Sequence, residues 1–112
     1  MAWKMGDYSY VVSGALLECE YGSDPNYLNL HESYGVYVKG KAVCTIKDRL
    51  VPRNIKTFGE CEKEGVCEPE ILKDWVNGKD DVYVDGIEAL IDIATVTCKH
   101  GGKISVIDDG QE

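Results

Sequence analysis

Apolar positions along the chain come in short runs, each cut off by turn-forming residues. Tyr8-Ser9-Tyr10-Val11-Val12 is rich in β-branched and aromatic residues and ends at Ser13-Gly14. Ala15-Leu16-Leu17-Glu18-Cys19 follows and is closed by Tyr21-Gly22-Ser23-Asp24-Pro25-Asn26. Tyr27-Leu28-Asn29-Leu30 reads as a short strand. Val36-Tyr37-Val38 enters Lys39-Gly40-Lys41 and Ala42-Val43-Cys44-Thr45-Ile46 leaves it, the pattern of a hairpin with a glycine in its turn. Further strands are predicted at Val82-Tyr83-Val84, Ala89-Leu90-Ile91, Ala94-Thr95-Val96-Thr97-Cys98 and Lys103-Ile104-Ser105-Val106-Ile107. Turn signals about every 8–12 residues mark an all-β fold.

The stretch from Asp48 to Gly78 breaks the rhythm with Pro52, Gly59, Gly65 and Pro69. Glu70-Ile71-Leu72-Lys73-Asp74-Trp75 has room for one helical turn only, too short to stand alone, so loop or extended chain is expected. Two echoes run through the chain. Val36-Tyr37-Val38-Lys39-Gly40 matches Val82-Tyr83-Val84-Asp85-Gly86, and Cys19-x-x-Gly22 matches Cys98-x-x-Gly101. Both fit one β unit used more than once around a pseudo-symmetric core, and both also fit chance recurrence of a common pattern. With 112 residues the chain is expected to form a single domain, 1–112, with flexible tails at 1–7 and 108–112.

Charge narrows the functional classes. Twenty acidic residues against twelve Lys and Arg give a net charge of −8, with no basic cluster. Nucleic-acid binding requires a cationic footprint and is set aside. Stable adhesion to an anionic membrane is disfavoured for the same reason. The first seven residues hold no apolar core or cleavage site, so no secretory signal is expected.

Catalytic groupings are sparse. The histidines are His31 and His100, and no Gly-x-Ser-x-Gly elbow or phosphate-binding glycine loop is present. Cys98 and His100 would share a strand face, but no partner acid or oxyanion element stands near them in sequence. No enzymatic role is expected.

The cysteines carry more information. Five of them, an odd number, occur in a chain without a secretory signal, which favours metal ligation or burial over a disulfide framework. Four thiolates suit the closed tetrahedral cage of a structural zinc ion. Cys61 and Cys67 lie in the irregular middle, and Cys19 and Cys98 lie at strand ends before glycines. Buried free thiols and a Cys61–Cys67 or Cys19–Cys98 disulfide are the open alternatives. Cys44, within Ala42-Val43-Cys44-Thr45-Ile46, reads as a core side chain.

A longer order of motifs carries a resemblance. The chain opens with Tyr10-Val11-Val12-Ser13-Gly14-Ala15-x-Leu17-x-Cys19-x-Tyr21-Gly22. Asp48 and Asn54-Ile55-x-x-Phe58-Gly59-x-Cys61 stand in the middle, followed by Cys67-x-Pro69 and Trp75. The close is Cys98-x-x-Gly101-Gly102-x-Ile104-Ser105-Val106 with Gly110-Gln111. This order is similar to that of the PAAR-like proteins of bacterial contractile injection systems and phage-tail-like particles. The stretch from Cys61 to Cys67 is shorter than in that family, and Lys63-Glu64-Gly65-Val66 replaces its Pro-rich approach to the second cysteine.

The resemblance implies a small cone of short β-hairpins with partial internal pseudo-symmetry. It implies a non-enzymatic tip, one per trimeric central spike, that sharpens the spike for membrane puncture. Contact with the target membrane would be transient. It also implies a metal ion, expected as Zn²⁺, near the point of the cone, on the matching cysteines Cys19, Cys61, Cys67 and Cys98, with His100 as a substitute ligand. Such a part would be made and assembled in the bacterial cytoplasm and leave the cell within the particle. Two other roles fit the sequence: a free-standing zinc-binding or thiol redox module, and an adaptor that recruits effector cargo to the spike.

Overall fold

The computed structural model describes residues 4–5, 8–30, 33–51, 54–63, 65–67, 69–84 and 86–111. His31, Pro52, Glu64 and Asp85, which the sequence reading names, lie outside the described residues, as do 1–3, 6–7 and 112. The fold is all-β, with no helix among the described residues. Its strands are short: β1 Lys4–Met5, β2 Tyr8–Ser9, β3 Leu16–Cys19, β4 Asn26–Tyr27, β5 Tyr37–Val38 and β6 Lys41–Ala42. They continue with β7 Glu60–Cys61, β8 Gly65–Val66, β9 Lys79–Val84, β10 Ile87–Ala89, β11 Thr95–Thr97 and β12 Lys103–Asp108. One four-stranded antiparallel sheet runs β11-β12-β3-β4, and four hairpins make two-stranded sheets. The stretch from Glu70 to Trp75 forms neither helix nor strand, within the loop or extended chain expected of it.

Three of the hairpins are copies of one another. Lys4 pairs with Ser9, Tyr37 with Ala42 and Tyr83 with Glu88; Met5 pairs with Tyr8, Val38 with Lys41 and Val84 with Ile87. A shift of 33 residues carries the first set onto the second, and a shift of 46 carries the second onto the third. The second hairpin closes through a two-residue turn. At Lys39-Gly40 both residues have positive φ, 52° and 78°, the geometry whose twist matches the flanking strands. Glycine adopts it without strain, and it is the rarer Lys39 that carries the cost.

Beyond the hairpins the three copies join into a ring. The Val11 amide donates to the Leu90 carbonyl at 2.9 Å, the Leu90 amide to Cys44 at 2.9 Å, and the Cys44 amide to Val11 at 3.0 Å. The β-bridges are cyclic in the same sense: Val12 with Val43, Thr45 with Ala89, Ile91 with Tyr10. So is the next layer, in which Ser13, Ile46 and Asp92 donate to Ala42, Glu88 and Ser9. Each copy then turns through the same bond, Ala15 to Val12, Asp48 to Thr45, Ala94 to Ile91. A closed ring leaves no edge strand at this level and satisfies its buried backbone groups internally.

The alternation of side chains across the ring separates two apolar clusters. Val11, Cys44 and Leu90 point into the larger one, with Trp75, Phe58, Leu17, Leu28, Ile55 and Ile104. Tyr10, Val12, Val43, Ala89 and Ile91 point into a smaller one at the hairpin end, with Val84. A period of two assigns neighbouring residues to opposite faces, which is why each copy feeds both clusters.

The second copy departs from the others. Where the first and third carry Ala15 and Ala94, it carries Asp48, which is 4% exposed. The Asp48 carboxylate accepts the Thr45 amide at 2.7 Å and the Tyr34 hydroxyl at 2.6 Å, and its carbonyl accepts the Trp75 indole N–H at 3.1 Å. Those bonds pin both ends of the irregular stretch to the ring. Within the segment expected as a loose tail, 108–112, residues 108–111 are bonded into the fold. Asp108 closes β12, the Asp109 carbonyl accepts the Val12 amide, and the Gly110 carbonyl accepts the Lys41 ammonium at 2.7 Å. The buried Gln111 side chain donates to the Tyr10 carbonyl at 2.8 Å. Residues 109–111 therefore belt the ring. At the other end, β1 pairs with β2.

If the ring carries the fold, the amides of Val11, Cys44 and Leu90 exchange hydrogen only through global unfolding, and they show the highest protection in a native-state exchange experiment. Leu90→Ala, at a fully buried position, is expected to cost about 2–5 kcal/mol in denaturant unfolding. Exchange of the three amides faster than those of the four-stranded sheet would contradict this.

Candidate metal centre

All four cysteines that the sequence singled out are buried in the larger apolar cluster, on the far side of the ring from the hairpins. All five thiols of the chain are free. Cys19 ends β3 and is paired with Ile104, and Cys98 follows β11 and donates its amide to the Gly102 carbonyl at 3.0 Å. They are symmetry mates. The combined shift from first copy to third is 79, and it carries Cys19 onto Cys98 and Gly22 onto Gly101. In both turns the glycine amide returns to the cysteine carbonyl at 2.9 Å.

Strands β3 and β11 flank β12, so Cys19 and Cys98 sit about two strand spacings apart, roughly 9–10 Å between backbones. A disulfide spans about 4.4–6.8 Å between Cα atoms and would require the backbone to move. The sulfurs nevertheless converge, because the residue between them has no side chain. A Cβ on Gly102 would lie 2.9 Å from Cys19 Sγ and 3.2 Å from Cys98 Sγ. Glycine is required here for close approach.

The second copy has Pro52 where the other two have cysteine, and its irregular stretch brings two thiols instead. Cys61 is tied to the Cys19 turn by the Gly22–Cys61 bridge and by the Glu62 amide donating to the Tyr21 carbonyl at 2.9 Å. The β7–β8 hairpin then presents Cys67, whose amide donates to the Gly59 carbonyl. Backbone donors point at the sulfurs: Phe58 N–H to Cys67 Sγ at 3.3 Å and Lys63 N–H to Cys61 Sγ at 3.4 Å. Burial pushes the Cys19 thiol up, the Tyr21 and Gly22 amides partly offset this, and the nearby Cys98 and Cys67 sulfurs push it further.

The donor set is thus two thiols from symmetry-related strand ends and two from one hairpin. It suits a soft ion that prefers tetrahedral sulfur, and the space over Gly102 is a cradle that a side chain would fill. Among the described residues, no three His, Cys, Asp or Glu side chains are gathered in metal-holding geometry. His100 lies half-buried in the turn after Cys98. Cys44 is remote from this chemistry. It sits on the ring, fully buried, and burial with the neighbouring Asp48 charge holds its thiol well above the ordinary range.

A family model covers residues 11–111. The chain belongs to the DUF4280 family, described as a domain of unknown function. The DUF4280 match begins at Val11, the first ring residue, and ends at Gln111, whose side chain belts the ring, so it takes in all four cysteines. No curated protein and no solved structure matches the chain.

Sequence reading missed the Asp48–Tyr34 pair as a structural pin, because a buried acid and an exposed one look alike in sequence. It also missed the copy formed by β1 and β2, whose residues share no pattern with the other two hairpins.

Raised thiol values have a pH consequence. Cys19 and Cys44 hold their protons more tightly folded than unfolded, so their contribution is complete below the ordinary thiol value of 9.0 and declines as pH rises above it. Metal-free protein is expected to lose stability to urea between pH 8 and pH 10 in about this range, and Cys44→Ala is expected to flatten the decline. Equal stability across that range would contradict the assignment.

Proposed function

We propose that this DUF4280 chain is a PAAR-like spike tip, a non-enzymatic part that caps the end of a trimeric spike in a contractile injection system and sharpens it for membrane puncture. The observation that carries the reading is the cyclic three-copy ring. A single chain whose backbone repeats three times about one axis can present equivalent contacts to each chain of a threefold end. The order of motifs from Tyr10 to Gln111, similar to that of PAAR-like proteins, supports the same reading.

In this proposal Cys19, Cys61, Cys67 and Cys98 hold one structural metal ion, expected as zinc, with His100 as the substitute. The ion would cross-link strand ends and hairpin that otherwise meet only through backbone bonds and apolar packing. That link gives a reason for rigidity in a domain whose strands run only two to six residues. The tip would be assembled in the cytoplasm and carried out with the particle, touching the target membrane only in passage, and it can serve as a mount for a separate effector.

The burial of all four thiols in one apolar cluster, with Cys19 and Cys98 meeting over Gly102, also favours a second reading, a free-standing metal or thiol module. One experiment separates the two. Elemental analysis of protein purified without chelator is expected to give about one zinc per chain. Chelation is expected to lower the melting temperature by more than about 5 °C, since ligand binding adds its free energy to folding. Mixing with the trimeric spike of the same particle is expected to give one chain per trimer by native mass spectrometry. Zinc without association at micromolar concentrations supports the free-standing module and counts against the spike tip.

A further inference from the structure

Strand β11 is an edge of the four-stranded sheet, and its outer side is only partly covered. Pairing with β12 fixes which backbone groups face outward. The Cys98 amide donates to the Gly102 carbonyl, and the Lys103 carbonyl accepts the Glu20 amide on the far side of β12. The bonded pairs between β11 and β12 therefore fall at Val96 and Cys98. By alternation, the backbone groups of Thr95, Thr97 and Lys99 point away from the sheet. Thr95 exchanges bonds of 2.8 and 3.2 Å with Val76, and the Lys99 amide donates to the Glu70 carbonyl at 2.8 Å. Between them, the Thr97 N–H and C=O have no backbone partner on this side among the described residues.

The covering segment is too long to lie flat there. It takes six steps from Glu70 to Val76, where β11 takes four from Thr95 to Lys99, so its middle loops out. Ion pairs hold the loop away from the strand. Asp74 is bound by Lys47 at 3.0 Å and by Arg49 at 3.1 Å, and Arg49 also donates to the Ile71 carbonyl at 3.1 Å. The result is a notch of about 290 Å³ whose lining includes Leu72, Lys73, Val76, Thr97 and Lys99.

The notch selects its occupant. Val76 and Glu70 occupy the lane beside β11 at both ends, so no strand can run through it. Its volume falls just below the ~300–1,000 Å³ of drug-sized sites and suits the end of a chain. Thr97 offers one N–H and one C=O, which a single residue of an antiparallel partner satisfies with its own C=O and N–H. The charge around the notch is opposite to that of the whole molecule. Lys47, Arg49, Lys73 and Lys99 face Glu70 and Asp74, four cations against two acids, which leaves +2 here in a chain of −8. Leu72 and Val76, 69% and 56% exposed, add apolar surface at its rim.

We infer that the notch beside β11 captures the C-terminal residue of a partner polypeptide, one with a free carboxylate and an apolar side chain. The carboxylate accepts the Thr97 N–H and faces the lysines, the N–H of the same residue donates to the Thr97 carbonyl, and the side chain covers Leu72 and Val76. This goes beyond the spike-tip reading and does not depend on it.

The probe is acetyl-alanyl-valine with a free carboxylate, titrated into isotope-labelled protein as purified and followed by amide NMR. Saturable shifts centred on the Thr97 amide are expected, with millimolar affinity. The same peptide with an amidated C-terminus, and acetate alone, are expected to bind at least about tenfold more weakly, since each lacks one of the two matched groups. Thr97→Pro removes the N–H at an edge position where the ladder does not use it and is expected to weaken binding at least about tenfold. Lys73→Glu, at an exposed residue, is expected to weaken it at least about threefold. Thermal unfolding checks that each variant is folded. No shift at Thr97, equal binding of acid and amide, or wild-type affinity in either folded variant overturns the inference. Acetate binding as tightly as the peptide reduces the notch to a general carboxylate site and overturns peptide-end capture. None of these results touches the spike-tip reading, which is tested on the spike.

Discussion

The cyclic set of backbone bonds joining Val11, Cys44 and Leu90 is the constraint on which the other parts depend. Each bond links residues far apart in sequence, so none forms until the three copies are in place together. Once closed, the ring fixes the register of every hairpin on one side and of every outgoing strand on the other. A one-residue slip in any copy would send Val11, Cys44 or Leu90 into the wrong apolar cluster. The buried carboxylate of Asp48 and the returning segment at 109–111 act on the same ring, the first from the irregular stretch and the second as a belt.

Symmetry and its breaking divide the labour. The hairpin end keeps all three copies, and there the structure presents an apolar concavity between the second and third hairpins. The opposite end keeps two, ending in Cys19 and Cys98, and replaces the third with an excursion that supplies Cys61 and Cys67. Three equivalent strand ends would offer three ligands, one short of a tetrahedral cage. Two strand ends and one hairpin offer four. In the proposed function the broken symmetry serves the point and the retained symmetry serves the base.

Much of the local structure was legible in the sequence. Lys39-Gly40 between alternating runs predicts the hairpin that forms, and the repeated Val-Tyr-Val exposes one relation of the ring, the shift of 46. The Cys-x-x-Gly echo is the same symmetry, seen in two matching turns. The remaining copy, at β1 and β2, leaves no trace because its bonds are made by backbone, which any residue type can supply. The order of the C-terminal segment is hidden for a related reason. Asp108-Asp109-Gly110-Gln111 is polar, and polarity suggests a loose end, yet its backbone groups and the Gln111 amide are bonded within the fold. The four cysteines could be named from sequence, but the approach of Cys19 and Cys98 over Gly102 depends on which strands flank β12, a long-range fact that spacing does not contain.

The central claim is that one chain imitates a trimer along a single axis. Electron cryo-microscopy of the tip on its spike, reconstructed without imposed symmetry, tests it most directly. The account predicts that the pseudo-threefold axis of the chain is collinear with the trimer axis, with the three hairpins seated on the trimer and the cysteines at the free end. A chain seated through its cysteine end, or with its axis tilted away from that of the trimer, would contradict it.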